Sequence, residues 1–342
     1  MTISVYLIFN TTNYKQVEGL KQIIHFNNTE RENACFLILI RNKELKDFKR
    51  SMKQLEDRFN KHYNYPYVFL NDVPFTSDFK EQVQALTSAE VEFGLIPKEH
   101  WGIPSFINET KAKQSWEQMA SDGVLYGGSE SYRHMCRFES GFFYRHELVQ
   151  KYDYYWRVEP EVQFSCDLQF DPFRYMRENN KLYGFTIALY EFEQTIPTLW
   201  KTVNEWIKKF NIKLPEDNAI SFISDDKGET YNLCHFWTNF EIASFDLWRD
   251  KQYLDYFTYL DQSGGFFYER WGDAPVHSIY AALTLPKDKI HFFNEIGYFH
   301  SPFTHCPIQS ELNKFCHCDV NDNFDNEDYS CTKKWIEISQ AN

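Results

Sequence analysis

The sequence predicts an α/β fold, a single mainly parallel or mixed sheet flanked by helices, and three consecutive segments carry that prediction. Residues 34–41, Ala-Cys-Phe-Leu-Ile-Leu-Ile-Arg, are an almost unbroken apolar run, as expected of a strand covered on both faces. Leu45, Phe48, Met52, Leu55 and Phe59 then recur every three or four residues with charges between them, the stripe of an amphipathic helix. Tyr67–Leu70 reads as a second short buried strand, and a strand–helix–strand alternation argues for parallel pairing.

Later elements follow the same logic. Tyr154–Val158 and Leu182–Leu189 read as strands, and Leu199, Val203, Trp206, Ile207 and Phe210 mark an amphipathic helix. Asp273-Ala274-Pro275 opens another helix, with Asp273 as its N-cap, Pro275 in the first turn, and Val276, Ile279, Tyr280 and Leu283 facing inward. Lys289–Phe293 is a last short strand. No internal repeat or low-complexity linker divides the chain. The expected organisation is an N-terminal segment, 1–30, and one domain, 31–342, that closes in a cysteine-rich tail, 304–342.

The charge balance narrows the function. Thirty-six Lys and Arg face forty-nine Asp and Glu, a net charge of −13. Such a chain lacks the basic stripe that displaces counterions from nucleic acid, and it is poorly matched to anionic membranes. A phosphorylated substrate would need a divalent metal to neutralise it. The 22 Tyr, 32 Phe and 9 Trp suit packing against the C–H faces of sugars, and equally suit an aromatic core.

Of eight cysteines, Cys306, Cys316, Cys318 and Cys331 crowd into a polar tail with little apolar periodicity, where cross-links would supply the order. Zinc is the competing reading, but Cys316-His317-Cys318 lacks the spacing of a zinc knuckle. The other four are Cys35, Cys136, Cys166 and Cys234, and sequence leaves the pairing open. Asn-x-Thr sequons at Asn10, Asn27 and Asn108 add to the case for a secretory location. The apolar run Ile3–Phe9 is too short to span a bilayer.

Four segments carry candidate chemistry. Arg157-Val158-Glu159-Pro160-Glu161 should end a strand, leaving Glu159 at its carboxyl end, where open α/β sheets bind ligands and a hard oxygen suits Mn²⁺ or Mg²⁺; a solvated turn is the plain alternative. In Asn232–Glu241, polar groups and aromatics interleave in an otherwise buried run. That setting suits a carboxylate facing an oxocarbenium-like centre, or one paired to an arginine. His300, on a loop after the last strand, is a metal-ligand candidate or a structural histidine. Tyr126–Phe138 offers two glycines for close backbone approach to a ligand, with Tyr and Arg side chains able to bond phosphate; otherwise it is a loop feeding a helix.

With Leu37–Asn42, Gly264–Ser278 and Ile290–His300, these segments occur in the order and spacing of a known family. From about residue 30 onward the chain closely resembles the fungal GDP-mannose-dependent α-1,2-mannosyltransferases, Golgi enzymes that extend glycolipid and glycoprotein mannans. The resemblance implies a Rossmann-like nucleotide-sugar transferase fold of the GT-A type, GDP-mannose as donor, a mannose-terminated glycan as acceptor, Mn²⁺ as cofactor, and retention of the anomeric configuration. It implies metal ligation by Glu159 and His300, nucleotide contacts from Arg41, Tyr126 and Tyr132, sugar or acceptor contacts from Arg157 and Asp273, and Glu241 as nucleophile or stabiliser near the anomeric carbon. Residues 1–30 would then be the end of a stem. Membrane attachment would come only through an anchor that this chain lacks, as in a single-pass type II protein of the Golgi lumen. Other readings are a mannosylphosphate transferase or a non-catalytic mannan-binding protein on the same fold.

Overall fold

A computed structural model describes residues 31–340. Its strands, in chain order, are β1 (Ala34–Leu39), β2 (Tyr67–Asn71), β3 (Val91–Leu95), β4 (Tyr154–Arg157), β5 (Gln163–Phe164), β6 (Tyr183–Phe185), β7 (Ala188–Tyr190), β8 (Cys234–Phe236), β9 (Glu241–Ser244), β10 (Ile290–Phe292), β11 (Tyr298–His300) and β12 (Phe303–His305). The longer helices are α1 (Leu45–Leu55), α2 (Ser77–Gln84), α3 (Glu109–Ser121), α4 (Glu130–Gly141), α5 (Pro172–Glu178), α6 (Leu199–Phe210), α7 (Lys251–Ser263), α8 (Asp273–Thr284) and α9 (Thr332–Gln340).

Seven strands form one sheet in the order β10-β6-β9-β4-β1-β2-β3, and only β9 runs against its neighbours β4 and β6. The sheet is therefore mixed, with a parallel majority. Alternation along each strand splits the core. Cys35, Leu37, Tyr155 and Ala243 face one layer with α4 and α8, and Phe36, Ile38, Trp156 and Ile242 face the other with α1 and α5. From β1 the chain builds outward through β2 and β3, then returns to β4 on the opposite side of β1. That reversal opens a crevice at the carboxyl ends of β1 and β4, the usual ligand position of such sheets.

Several expectations change in detail. The Leu182–Leu189 run is two strands, β6 in the large sheet and β7 in a separate pair with β8, because the chain leaves the sheet at Thr186–Ile187. The helix starting at Leu45 is α-helical to Leu55 and continues as a π turn through Asn60. Gly272 rather than Asp273 is the N-cap of α8, since the Asp273 carboxylate is engaged elsewhere. His300 ends a strand, β11, of a small antiparallel sheet with β12 and β5, and is not on a loop.

The cysteine tail is cross-linked, as expected, by Cys166–Cys316, Cys234–Cys331 and Cys306–Cys318. Cys316 and Cys318 go to different partners, and Cys166, Cys316 and Cys318, the only cluster of three or more potential metal ligands among the described residues, spend their sulfurs on bridges. The tail also does more than the sequence suggested. Trp335 of α9 is buried among Phe185, Phe222 and Phe236, and the segment around Cys331 hydrogen-bonds the backbone of Ala188. Asn108 is exposed at the N-cap of α3. Asn10, Asn27, the Ile3–Phe9 run and segment 1–30 lie outside the described residues, among which no helix is long and apolar enough to cross a membrane.

Cys35 and Cys136 are unbridged and buried. Alkylation without reductant should therefore leave the native protein unlabelled and give two labels, on Cys35 and Cys136, after denaturation, read by peptide mass spectrometry. Loss of the Cys234–Cys331 bridge in a Cys234→Ala/Cys331→Ala variant should cost roughly 2–5 kcal/mol of stability in a denaturant melt.

Candidate active site

The crevice between the ends of β1 and β4 widens into a cleft of about 840 Å³. Its lining includes Arg41, Tyr126, Tyr132, Arg157, Glu159, Asp273 and His300, so residues far apart in sequence that were singled out for one chemistry share one cavity. Each arrives there for a local reason. Arg41 follows β1 at the sheet's carboxyl edge. Arg157 is the last residue of β4, and Glu159 sits in the turn after it. Asp273 opens α8, and His300 closes β11.

The floor is built around Arg157, which is 7% exposed. Its Nη1 donates to Asp273 Oδ2 at 2.5 Å, and its Nη2 donates to Glu159. Thr238 Oγ1 donates to the same Asp273 oxygen at 2.7 Å. Burial works against ionisation of Asp273, but Arg157, His277 and the Thr238 hydroxyl together outweigh it and hold the carboxyl below its ordinary range. The pair thus clamps β4 to α8 across the cleft floor.

One wall is the Tyr126–Tyr132 stack, with ring centroids 4.5 Å apart and planes 10° apart, continued by Arg270 over the Tyr132 ring at 5.2 Å. Tyr126 is exposed and left-handed, at φ 58°, a costly conformation for a tyrosine and a frequent mark of a functional site. The two glycines beside it do not border the cleft. A Cβ on Gly127 would lie 2.8 Å from the Met119 backbone, so they let this loop close on the end of α3. The opposite wall is aromatic: Trp237, Phe303, Tyr329 and Phe192 follow one another at centroid spacings of 5.6, 5.9 and 6.2 Å, and all four border the cleft.

His300 and Glu159 approach at the cleft edge, Nε2 to Oε2 at 4.0 Å. His300 Nδ1 lies 3.1 Å from the Ser301 carbonyl and must carry the proton to bond it. That leaves the Nε2 lone pair toward Glu159, the arrangement of a metal-ligating histidine. Seven carboxylates line the cleft against three arginines, and every arginine is taken: Arg41 by Glu44, Arg157 by Asp273 and Glu159, Arg270 by Glu191.

Glu241 is the exception. Although it pairs in register with Arg157 on β9, its carboxylate does not line the cleft. It is 1% exposed, accepting from Tyr155 Oη and lying 2.9 Å from His277 Nδ1; Trp248 donates to Tyr155 Oη and stacks on His277. Among the described residues no arginine bonds it, so of the two alternatives for this carboxylate the arginine pair is not the one formed. Sequence reasoning in turn missed Glu139, His235, Glu191 and Arg270. Glu139 sits in mid-helix between Phe138 and Ser140 with nothing local to mark it; burial, helped by Asp273, Glu159 and Glu241 and opposed by Arg157, pushes its carboxyl up to about 7.

The family model described as glycolipid 2-alpha-mannosyltransferase matches residues 9–340. A glycolipid 2-alpha-mannosyltransferase of Saccharomyces cerevisiae is 54% identical over 91% of this chain and 71% of its own length. An O-glycoside alpha-1,2-mannosyltransferase of Schizosaccharomyces pombe is 54% identical over 90% of this chain and 78% of its own. Among solved structures, core-mannan synthase A from Aspergillus fumigatus in its Mn/GDP form superposes with a TM-score of 0.86 at 38% identity, covering 94% of this chain and 88% of that one. The mannosyltransferase Ktr4p of S. cerevisiae in complex with GDP gives 0.84 at 35%, covering 97% and 92%. The chain belongs to the glycolipid 2-alpha-mannosyltransferase family, and its fold is that of these GT-A-like enzymes.

The geometry around Glu241 makes a prediction. Glu241→Ala strips the acceptor from two buried donors, which should cost roughly 1–3 kcal/mol for each donor left unpaired. A lowered melting temperature with GDP affinity kept in the folded fraction is the expected outcome.

Proposed function

We propose, from its place in this family, that the chain transfers mannose from GDP-mannose to the 2-hydroxyl of a mannose-terminated glycan, with Mn²⁺ as cofactor and retention at the anomeric carbon. The observation that carries the reading is the cleft itself, where a histidine and a carboxylate fit for a metal stand beside a charge-paired polar floor and an aromatic wall. Both structural relatives named above are mannosyltransferases, one seen with Mn and GDP and one with GDP.

Glu159 Oε2 and His300 Nε2 would hold the ion, a hard oxygen and an imidazole suited to Mn²⁺, with phosphate oxygens and water completing the shell. When bound, the ion neutralises the diphosphate and stabilises the departing GDP. The three arginines of the cleft are already paired to carboxylates and bring little uncompensated positive charge of their own. Arg41, Tyr126 and Tyr132 fit the nucleotide end, where an exposed tyrosine stack and a guanidinium flank the carboxyl end of β1. Arg157 and Asp273 present fixed, mutually oriented polar groups to the sugar and keep them from turning as charge develops. The aromatic wall of Trp237, Phe303, Tyr329 and Phe192 offers the acceptor faces on which pyranose rings pack.

Retention then follows by front-side attack, with the departing phosphate taking the proton of the acceptor hydroxyl. Support comes from Glu241, whose carboxylate is committed to Tyr155 and His277 behind the floor; its role in this reading is to hold β4, β9 and α8 together beneath Arg157. The three disulfides and the exposed Asn108 sequon fit an oxidising, secretory compartment, and the Golgi lumen, reached through a type II anchor, is the proposed site of action. The Glu159–His300 pair, fit for a metal beside a diphosphate, favours this reading over a binding protein without catalysis.

GDP release from GDP-mannose should require both Mn²⁺ and a mannoside acceptor, and NMR of the product should show an α-1,2 linkage. Calorimetry should find GDP binding weakened at least tenfold in chelator, and His300→Ala should erase that difference without lowering the melting temperature. Equal GDP affinity with and without Mn²⁺ would sink the metal assignment.

A further inference from the structure

Glu139 is a carboxylate that the reading above leaves unused. It lies on α4, where Tyr132, Met135 and Glu139 follow at helical spacing and all three border the cleft. Seven residues at 1.5 Å each place Glu139 about 10 Å further along the axis than Tyr132, away from the tyrosine stack and toward the Arg157 floor. The residue is 4% exposed. No hydrogen bond among the described residues holds its carboxylate. Arg157 supports it only through its field, because Nη1 and Nη2 of that guanidinium are spent on Asp273 and Glu159.

A buried carboxylate without donors is costly, and native interiors seldom keep one unless a ligand completes it. The ligand must offer neutral donors. An anion would meet Asp273, Glu159 and Glu139 itself, so a phosphate is excluded here. Sugar hydroxyls fit: His235, Arg157 and Asp273 border the same floor, a set of buried acceptors and donors of the kind that orients a polyol. Depth separates the two sugars of the reaction. In the reading above the acceptor packs along the aromatic wall, which leaves the groups of the floor to the donor hexose.

We propose that the Glu139 carboxylate binds hydroxyl groups of the hexose on the nucleotide-sugar donor and thereby selects which hexose is transferred. The inference rests on the mannosyl-transfer reading and adds to it a specificity residue. A carboxylate bonded to hydroxyls discriminates strongly, because a donor lacking the matching hydroxyl leaves it buried and unpaired again.

The test uses the intact protein with Glu139→Gln and Glu139→Ala, measuring GDP and GDP-mannose binding in Mn²⁺ and steady-state transfer from GDP-mannose and from its singly deoxygenated analogues. Expected are GDP affinity within twofold of the parent, an unchanged or raised melting temperature for Glu139→Gln, and a rise in KM for GDP-mannose of about ten- to a hundredfold. For the analogue that lacks the contacted hydroxyl, parent and variant should become equal. GDP-mannose binding unchanged in both variants overturns the proposal, as does a parallel loss of GDP and Mn²⁺ binding, which would make Glu139 a metal or structural group. Failure of the unsubstituted protein to transfer mannose at all would instead count against the function proposed above.

Discussion

The ion pair between Arg157 and Asp273 is the constraint on which the site depends. Both partners are buried, at side-chain exposures of 8% and 7%, so either charge alone would be strongly destabilising. Each therefore recruits the other and then more: Thr238 on Asp273, Glu159 on Arg157, and the field of Glu139. The pair binds the carboxyl end of β4 to the first turn of α8, elements more than a hundred residues apart. Glu241 and His277 repeat the theme one layer down, on the strand beside β4 and one turn along α8. The floor of the cleft is in this sense a stack of two polar layers through an otherwise apolar core. Its rigidity comes from charges that have nowhere else to go.

The negative balance of the chain acquires a local meaning here. Each arginine in the cleft is matched by a carboxylate, and further carboxylates, Asp72, Glu139 and Glu161, stand beyond those pairs. A diphosphate entering alone would be repelled. With the divalent cation proposed between Glu159 and His300, the same arrangement would attract it, and in that reading affinity for nucleotide is conditional on the ion.

Much of this was legible in the sequence, and what was not has identifiable causes. β1, α1 and β2 were readable because strand and helix periods leave their mark over a few residues. The seven cleft residues were recoverable because each lies in a local motif: Arg41, Arg157, Glu159 and His300 at or just beyond strand ends, Asp273 at a helix start, and Tyr126 and Tyr132 where a glycine loop enters a helix. The division of Leu182–Leu189 between two sheets was not, since its apolar run does not register the point at which partners change. The reversed direction of β9 is likewise a property of pairing. Asp273 looked like a cap because caps are local and its real partner, Arg157, is not. Glu139 was invisible for the same reason, its significance lying in what fails to surround it.

The bridge from Cys234 to Cys331, with Trp335 seated beside Phe236, has a consequence in time as well as in space. β8 carries His235 directly after Cys234, and Trp237 follows it, so one side of the cleft is anchored to a segment synthesised about a hundred residues later. A nascent chain would carry all seven cleft residues before it possessed the segment that holds β8 in place. The wall that His235 and Trp237 contribute therefore takes its support from the last part of the chain to be made, so the cleft is finished from its C-terminal end.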